Sequence, residues 1–329
     1  MALSDSSWTK LAFIFPGQGS QSVGMGSKLS KVSSRARKVF KRADEVLERH
    51  ISRLCYTGSE EELQQTINQQ PATFVTSIAW LEAVRERWNM LDKKLTSVAI
   101  AGHSLGEFTA AVATGAITFE EGLLLVKERA RLMDEAGREN PGGMASIIGL
   151  QEEQVLEICS KSSRAGYVGI ATQNCEGHTV ISGEFPSLHK AMELAQEAGA
   201  RTVITLPISI ASHSPLMEKA SLSMKNLLEQ TTLRNPTVPI VGNVNADVLR
   251  SKEDVFIELR DQLTERVHWE RCVQQIQKMD AEMLFEVGPG SVLTKLVRRI
   301  DKTQKVVSLS DPQNGLFSEN FSSVETTAR

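Results

Sequence analysis

Gly102-His103-Ser104-Leu105-Gly106 is the segment whose residue types and spacing point most directly to chemistry. The apolar run Ser97 to Ala101 before it reads as a strand. The Ala-rich run Leu105 to Ala113 after it reads as a helix. A serine between them sits on a tight turn that projects its hydroxyl, and glycines at 102 and 106 let that turn pack closely. The helix N-terminus beyond it offers free backbone N–H groups to an oxyanion. The chemistry implied is acyl transfer through Ser104. Ser104 and Glu107 also spell a capping box, S-x-x-E, but a helix start alone would need neither glycine.

A serine nucleophile needs a base. Of the six histidines, His50 and His189 fall on polar helix faces. His103 adjoins the serine and is expected to point away from its hydroxyl. His178 begins a strand and His268 precedes a helix start. His213 follows the apolar stretch Leu206 to Ala211 and lies between Ser212 and Ser214, just before Pro215, which suits a side chain fixed at the rim of a sheet. The usual third member is missing. Asp134 is the one aspartate between Ser104 and His213, and it sits on an ordinary amphipathic helix. A Ser-His dyad with its imidazole oriented by a neutral acceptor fits better than a Ser-Asp-His triad.

The elements that must position these residues follow from periodicity. LAFIF at 11–15 is a short buried strand running into the Gly-rich loop Pro16 to Ser20. Helical spacing covers 33–49, 72–88 and 119–135, the last through Leu123, Val126, Ala130 and Met133. Strand followed by helix, repeated, predicts an α/β domain with a partly parallel sheet. From Asn140-Pro141-Gly142-Gly143 the texture changes. Strands at 143–149, 167–172, 178–182 and 201–204, with helices at 152–159 and 184–197, give the β-α-β-β-α-β order of a ferredoxin-like unit. Helices near 215–230, 253–263 and 269–279, a strand at 283–287 and a helix after Gly290 resume the first pattern. The expected division is a large domain from 1–137 and 206–310, a small inserted domain at 138–205, and a loose tail at 311–329.

Composition narrows the class. The chain has 329 residues, 37 Lys or Arg against 40 Asp or Glu, a net charge of -3 and 41% apolar residues. That excludes a mostly disordered chain and gives no basic field for nucleic acid. Cys55, Cys159, Cys175 and Cys272 are widely spaced with no CxxC pair, which predicts reduced thiols in the cytoplasm. The N-terminal segment is a poor signal peptide, and no run approaches the length of a membrane-spanning helix. A monomer is expected, since a chain this long can hide its own core.

Several separated blocks together resemble the malonyl-CoA:acyl-carrier-protein transacylase family and related polyketide-synthase acyltransferase domains. They are Phe15-Pro16-Gly17-Gln18-Gly19-Ser20-Gln21, Gly102 to Glu107, Leu125-Val126-x-x-Arg129-Ala130-x-Leu132-Met133, Val180-Ile181-Ser182-Gly183, Ser212-His213-Ser214-Pro215-Leu216-Met217 and Glu286-Val287-Gly288-Pro289-Gly290. The resemblance spans roughly residues 10–310 and implies an α/β-hydrolase-like large domain.

By that resemblance Ser104 is acylated, His213 activates it, and the Gln262 main-chain carbonyl orients the imidazole. The backbone N–H groups of Gln18 and Leu105 form the oxyanion hole. Arg129 clamps the malonyl carboxylate, and His103, Ser212 and Asn174 border the substrate. Malonyl-CoA and an acyl carrier protein are the implied partners, with no metal or redox cofactor. Two positions depart from the family. His178 stands where glutamine is common, and Ser212 stands where many free-standing malonyl enzymes have phenylalanine. The smaller Ser212 keeps a methylmalonyl-specific acyltransferase open. A proofreading acyl-carrier-protein hydrolase is the other alternative, and Arg129 speaks against it. A general esterase lacks its acid, and a noncatalytic scaffold would have no use for these groups.

Overall fold

The computed structural model describes residues 10–90 and 97–311. Among the described residues ten strands form two sheets. In chain order they are β1 (Leu11–Phe15), β2 (Ser97–Gly102), β3 (Gly142–Ile148), β4 (Val168–Cys175), β5 (His178–Glu184), β6 (Thr202–Thr205), β7 (Ile240–Val241), β8 (Val248–Leu249), β9 (Met283–Glu286) and β10 (Lys305–Ser308). The larger sheet runs β10-β9-β1-β2-β7-β8 and is parallel except for β8.

A parallel sheet covered on both faces needs apolar residues on both, and β1 supplies them. Leu11, Phe13 and Phe15 pack into a core with Phe74, Ile78 and Leu81 of the helix Thr66–Met90. Ala12 and Ile14 face the other way, toward Trp269, Val273 and Ile276 of Trp269–Lys278 and Leu296 of Val292–Ile300. The helix Thr66–Met90 starts earlier than its periodicity predicts because it is buried on nearly every side. Pro71 inside it cannot bond back to Ile67, and the freed Ile67 carbonyl accepts from Arg49 Nη2 at 3.1 Å instead.

The second sheet is antiparallel in the order β4-β5-β3-β6. The helices Glu152–Ser162 and Phe185–Glu197 cover one face, with Val155, Ile158, Leu188 and Ala191 against Ala145, Ile147, Ile170 and Ile181. This is the ferredoxin-like arrangement the element order implied. The segment just before the helix Trp269–Lys278 bonds to the small sheet. Val267 N–H donates to Ala171 O and Val267 O accepts from Gln173 N–H, both at 2.9 Å, so residue 267 lengthens the edge of the small sheet. Arg266 and Glu152 pair across the same seam at 2.6 Å.

Three strands escape sequence reading. β7 and β8 have two residues each, too few for any period, and β10 has four. The helices Ser27–Val32, Ile51–Thr57 and Glu60–Gln64 are likewise short and went unmarked. The segment near 215–230 is a 3-10 turn, Pro215–Met217, leading into Glu218–Glu229. Of the expected tail at 311–329, residues 312–329 lie outside the described residues. Among the described residues no helix is long and apolar enough to cross a membrane.

Candidate active site

Strand β2 ends at Gly102 and the helix Gly106–Ala113 starts four residues later, so the chain must reverse within His103 to Leu105. It does so with Ser104 at φ +51°, a left-handed conformation costly for any residue but glycine. The flanking glycines are required by close approach. A Cβ on Gly102 would lie 1.9 Å from the Gly106 carbonyl carbon, and one on Gly106 would lie 2.3 Å from the Phe15 oxygen.

The capping box does not form. The Ser104 N–H donates to Asn243 Oδ1 at 2.7 Å, and the Glu107 carboxyl turns inward to the Asn243 N–H and Gln262 Nε2. Ser104 is bent into the elbow rather than extended, so it cannot serve as an N-cap. Asn243, in the loop after β7, also donates to the Gly102 oxygen at 2.7 Å. One buried side chain thus ties both ends of the turn.

His213 is itself left-handed, with φ +57°, and only 4% exposed. Its Nε2 stands 2.8 Å from Ser104 Oγ. Its Nδ1 faces two main-chain carbonyls, Gln262 O at 2.7 Å and Glu265 O at 3.1 Å. Carbonyls only accept, so Nδ1 carries the proton and Nε2 is left to accept from the serine hydroxyl. Burial, then the charge of Arg129, pushes the imidazole down to about 3. Among the described residues no carboxylate bonds to the imidazole. Asp134 is spent on an exposed ion pair with Arg138.

Arg129 projects from the buried face of the helix Phe119–Glu139, whose N-terminus is fixed by a Thr118–Glu121 capping box. Its Nη1 donates to Gln70 Oε1 at 2.6 Å, and its Nε and Nη2 donate to Gln262 Oε1 at 3.1 and 2.8 Å. Nη2 also donates to Ser104 Oγ at 3.1 Å. Burial lowers the guanidinium to about 10, still charged at neutral pH. Phe108 lies beneath it, 5.8 Å from ring centre to Cζ.

The remaining expected residues cluster around this core. His103 turns away from the hydroxyl, as its place on the turn implied. Its Nε2 pairs with Asn174 Oδ1 of β4 at 3.0 Å, and its ring lies against Trp269. Ser212 is buried beside His213. Among the described residues neither the Gln18 nor the Leu105 backbone N–H finds an acceptor. The Gln18 side chain reaches Thr66 Oγ1 at 3.4 Å. His178 pairs with Ser146 Oγ at 3.1 Å, and burial pushes it down to about 4.

Gln70, Asn243 and the inward turn of Glu107 were not foreseen. Gln70 precedes Pro71 in Asn68-Gln69-Gln70-Pro71, a polar run within a buried helix, and that contrast was the available signal. Asn243 follows a two-residue strand and has no local signal. Among the described residues no group of three or more His, Cys, Asp or Glu could hold a metal ion.

The strand-elbow-helix fold, with a hydroxyl bonded to an imidazole that carbonyls orient, is suited to moving acyl groups. The family model for the acyl transferase domain matches residues 12–327, which places the chain among the acyltransferases. More narrowly, it belongs to the malonyl-CoA:acyl-carrier-protein transacylase family. The malonyl CoA-acyl carrier protein transacylase of Bacillus subtilis is 39% identical over 306 residues, 93% of this chain and 95% of that protein. The crystal structure of an acyl carrier protein S-malonyltransferase from Vibrio cholerae is similar with a TM-score of 0.87 and 35% identity, covering 92% of this chain and 97% of that one. A type II PKS acyl-carrier protein in complex with its malonyl-transacylase gives a TM-score of 0.88 at 34% identity, covering 92% of this chain and 96% of that one.

Proposed function

We propose that the enzyme moves a malonyl group from malonyl-CoA to the phosphopantetheine thiol of an acyl carrier protein, through a malonyl ester on Ser104. Arg129 is the observation that carries this reading. It is a buried cation whose partners are two glutamine oxygens and Ser104 Oγ, with no carboxylate among the described residues. A malonyl group esterified at Ser104 carries its free carboxylate three carbons along, beside that guanidinium. A planar guanidinium pairs bidentately with a carboxylate, and an acetyl group offers it nothing.

Ser104 Oγ attacks the thioester carbonyl carbon while its proton passes to His213 Nε2. The unpaired N–H groups of Gln18 and Leu105 receive the developing oxyanion. Collapse breaks the C–S bond, and CoA leaves as its thiol with the proton from His213. The carrier thiol then enters, gives its proton to Nε2 and attacks the serine ester. Breakdown of the second tetrahedral intermediate returns that proton to Ser104 Oγ and frees malonyl-carrier protein. The imidazolium formed in each half-reaction is oriented and stabilised by the Gln262 and Glu265 carbonyls. The chemistry calls for no metal or redox cofactor. Four free cysteines support a cytoplasmic setting.

Intact-protein mass after brief exposure to malonyl-, methylmalonyl-, acetyl- and longer acyl-CoA tests the proposal, with Ser104→Ala as control and holo carrier protein as chase. A malonyl-sized adduct that needs Ser104 and moves to the carrier is expected. A stronger methylmalonyl adduct would change the substrate, in keeping with the small Ser212. Neutral acyl groups that load and are lost to water would establish a hydrolase instead.

A further inference from the structure

Beneath the elbow two carboxyl groups meet. Glu107 and Glu258 are both buried, and both aim Oε1 at the Asn243 N–H, at 2.8 and 2.5 Å. The Val244 N–H donates to the same Glu258 oxygen at 2.9 Å, and Gln262 Nε2 donates to Glu107 Oε2 at 2.6 Å. Like charges this close in a dry interior do not both persist, and the pair keeps a proton between them. Burial raises the Glu258 carboxyl too, but the hydrogen bond with Glu107 and two backbone donors on one oxygen work against it and favour the charged form on Glu258 rather than on Glu107. Burial, and next the neighbouring Glu258, push the Glu107 carboxyl well above the usual carboxylate range. The other ionisable groups felt by the pair are Arg129 at Glu107, Asp247 at Glu258, and the Cys272 thiol at both.

We propose that Glu107 is a positioning residue, held as the neutral acid against an ionised Glu258, so that the negative charge of the pair lies on the carboxyl farther from Arg129. Glu107 stands one side chain away from the guanidinium, because Gln262 accepts from Arg129 through Oε1 and donates to Glu107 through Nε2. An ionised Glu107 would cancel the charge of Arg129 and oppose an incoming carboxylate. A neutral Glu107 still accepts from Gln262, and so fixes the glutamine whose main-chain oxygen holds His213, without spending the cation. Arg129 therefore meets the substrate as a full positive charge. This inference rests on Arg129 being the malonyl clamp.

The two carboxyls are not equivalent under this scheme. Glu107→Gln replaces a neutral acid with a neutral amide and leaves the charge on Glu258. Glu258→Gln leaves Glu107 as the only carboxyl of the pair and removes the neighbouring charge that helps hold its proton, so that negative charge shifts onto Glu107 beside the clamp. Infrared difference spectra of wild type against E107Q at about pH 8, where an ordinary carboxyl is ionised, should contain the C=O stretch of a protonated carboxyl. In steady-state assays E258Q should raise the malonyl-CoA KM about tenfold with a smaller change in kcat, whereas E107Q should lower kcat severalfold with KM held. Absence of the protonated band overturns the proposal, and that readout needs E107Q to be folded but not active. An equal rise in KM for both variants, or no rise in either, also overturns it. Malonyl preference surviving in Arg129→Met would instead overturn the clamp on which it rests, and leaves the band unchanged.

Discussion

His213 Nδ1 stands 2.7 Å from the main-chain oxygen of Gln262, in the position a triad carboxylate would occupy. A carbonyl orients the ring and fixes its tautomer but brings no negative charge to raise its basicity. Burial first, and then the charge of Arg129, hold the imidazole down to about 3. Its neutral form therefore persists far below the ordinary histidine value of about 6.5. The acid limb of Ser104 loading by malonyl-CoA should fall well below that value in rapid-quench measurements across pH. Arg129→Met removes the cation and should move the limb upward.

The same shift has a consequence for stability. The folded chain binds the His213 proton only near pH 3, whereas the unfolded chain binds it near the ordinary value of about 6.5. Between those values the unfolded state holds more protons, so stability is full above the window and falls as pH drops through it. His178, pushed down to about 4, acts in the same direction. Thermal unfolding followed across this range should show the decline, and a His178→Gln variant should show a shallower one.

Arg129→Met keeps length and apolar bulk while removing every guanidinium donor. Charge-assisted hydrogen bonds contribute about 1.5–3 kcal/mol each, so malonyl loading relative to acetyl loading should fall about ten- to a hundredfold or more. Competition between the two CoA esters, read by intact mass, gives the ratio directly. A variant whose ratio is unchanged would remove Arg129 from substrate recognition.

Asn243→Ala should damage the site without touching any substrate. Its amide holds the Ser104 N–H and the Gly102 oxygen, both at 2.7 Å, across a serine strained at φ +51°. Two buried backbone groups left without partners cost about 1–3 kcal/mol each. The melting temperature should drop clearly, and kcat should fall more than KM rises.

The four cysteines are buried free thiols, and burial raises Cys55 and Cys159 to about 12. A thiol that stays protonated is a poor nucleophile. Ellman's reagent should therefore find almost no reactive thiol in the native enzyme and all four after denaturation, and mass after malonyl loading should report Ser104 alone.

Sequence made the elbow legible because strand, glycine, serine, glycine and helix are contiguous, and each carries its own local signal. His213 stood out for a similar reason, being a polar trio after an apolar run and before Pro215. The inward turn of Glu107 is not legible because its spacing to Ser104 is that of a cap, while its partners, Asn243 and Gln262, lie 136 and 155 residues away. Asn243 itself follows a strand too short to show a period. What the sequence hides here is hydrogen bonding between distant loops, which periodicity does not encode.

The seam at Val267 ties the placing of the small sheet to the basicity of His213. The small sheet is bonded to Val267 through both its N–H and its carbonyl, and two residues earlier the Glu265 carbonyl holds the His213 ring. Swinging the small sheet outward would drag this short stretch and loosen the imidazole. A carrier protein that pried the small sheet away from this stretch would disarm the base it has come to use.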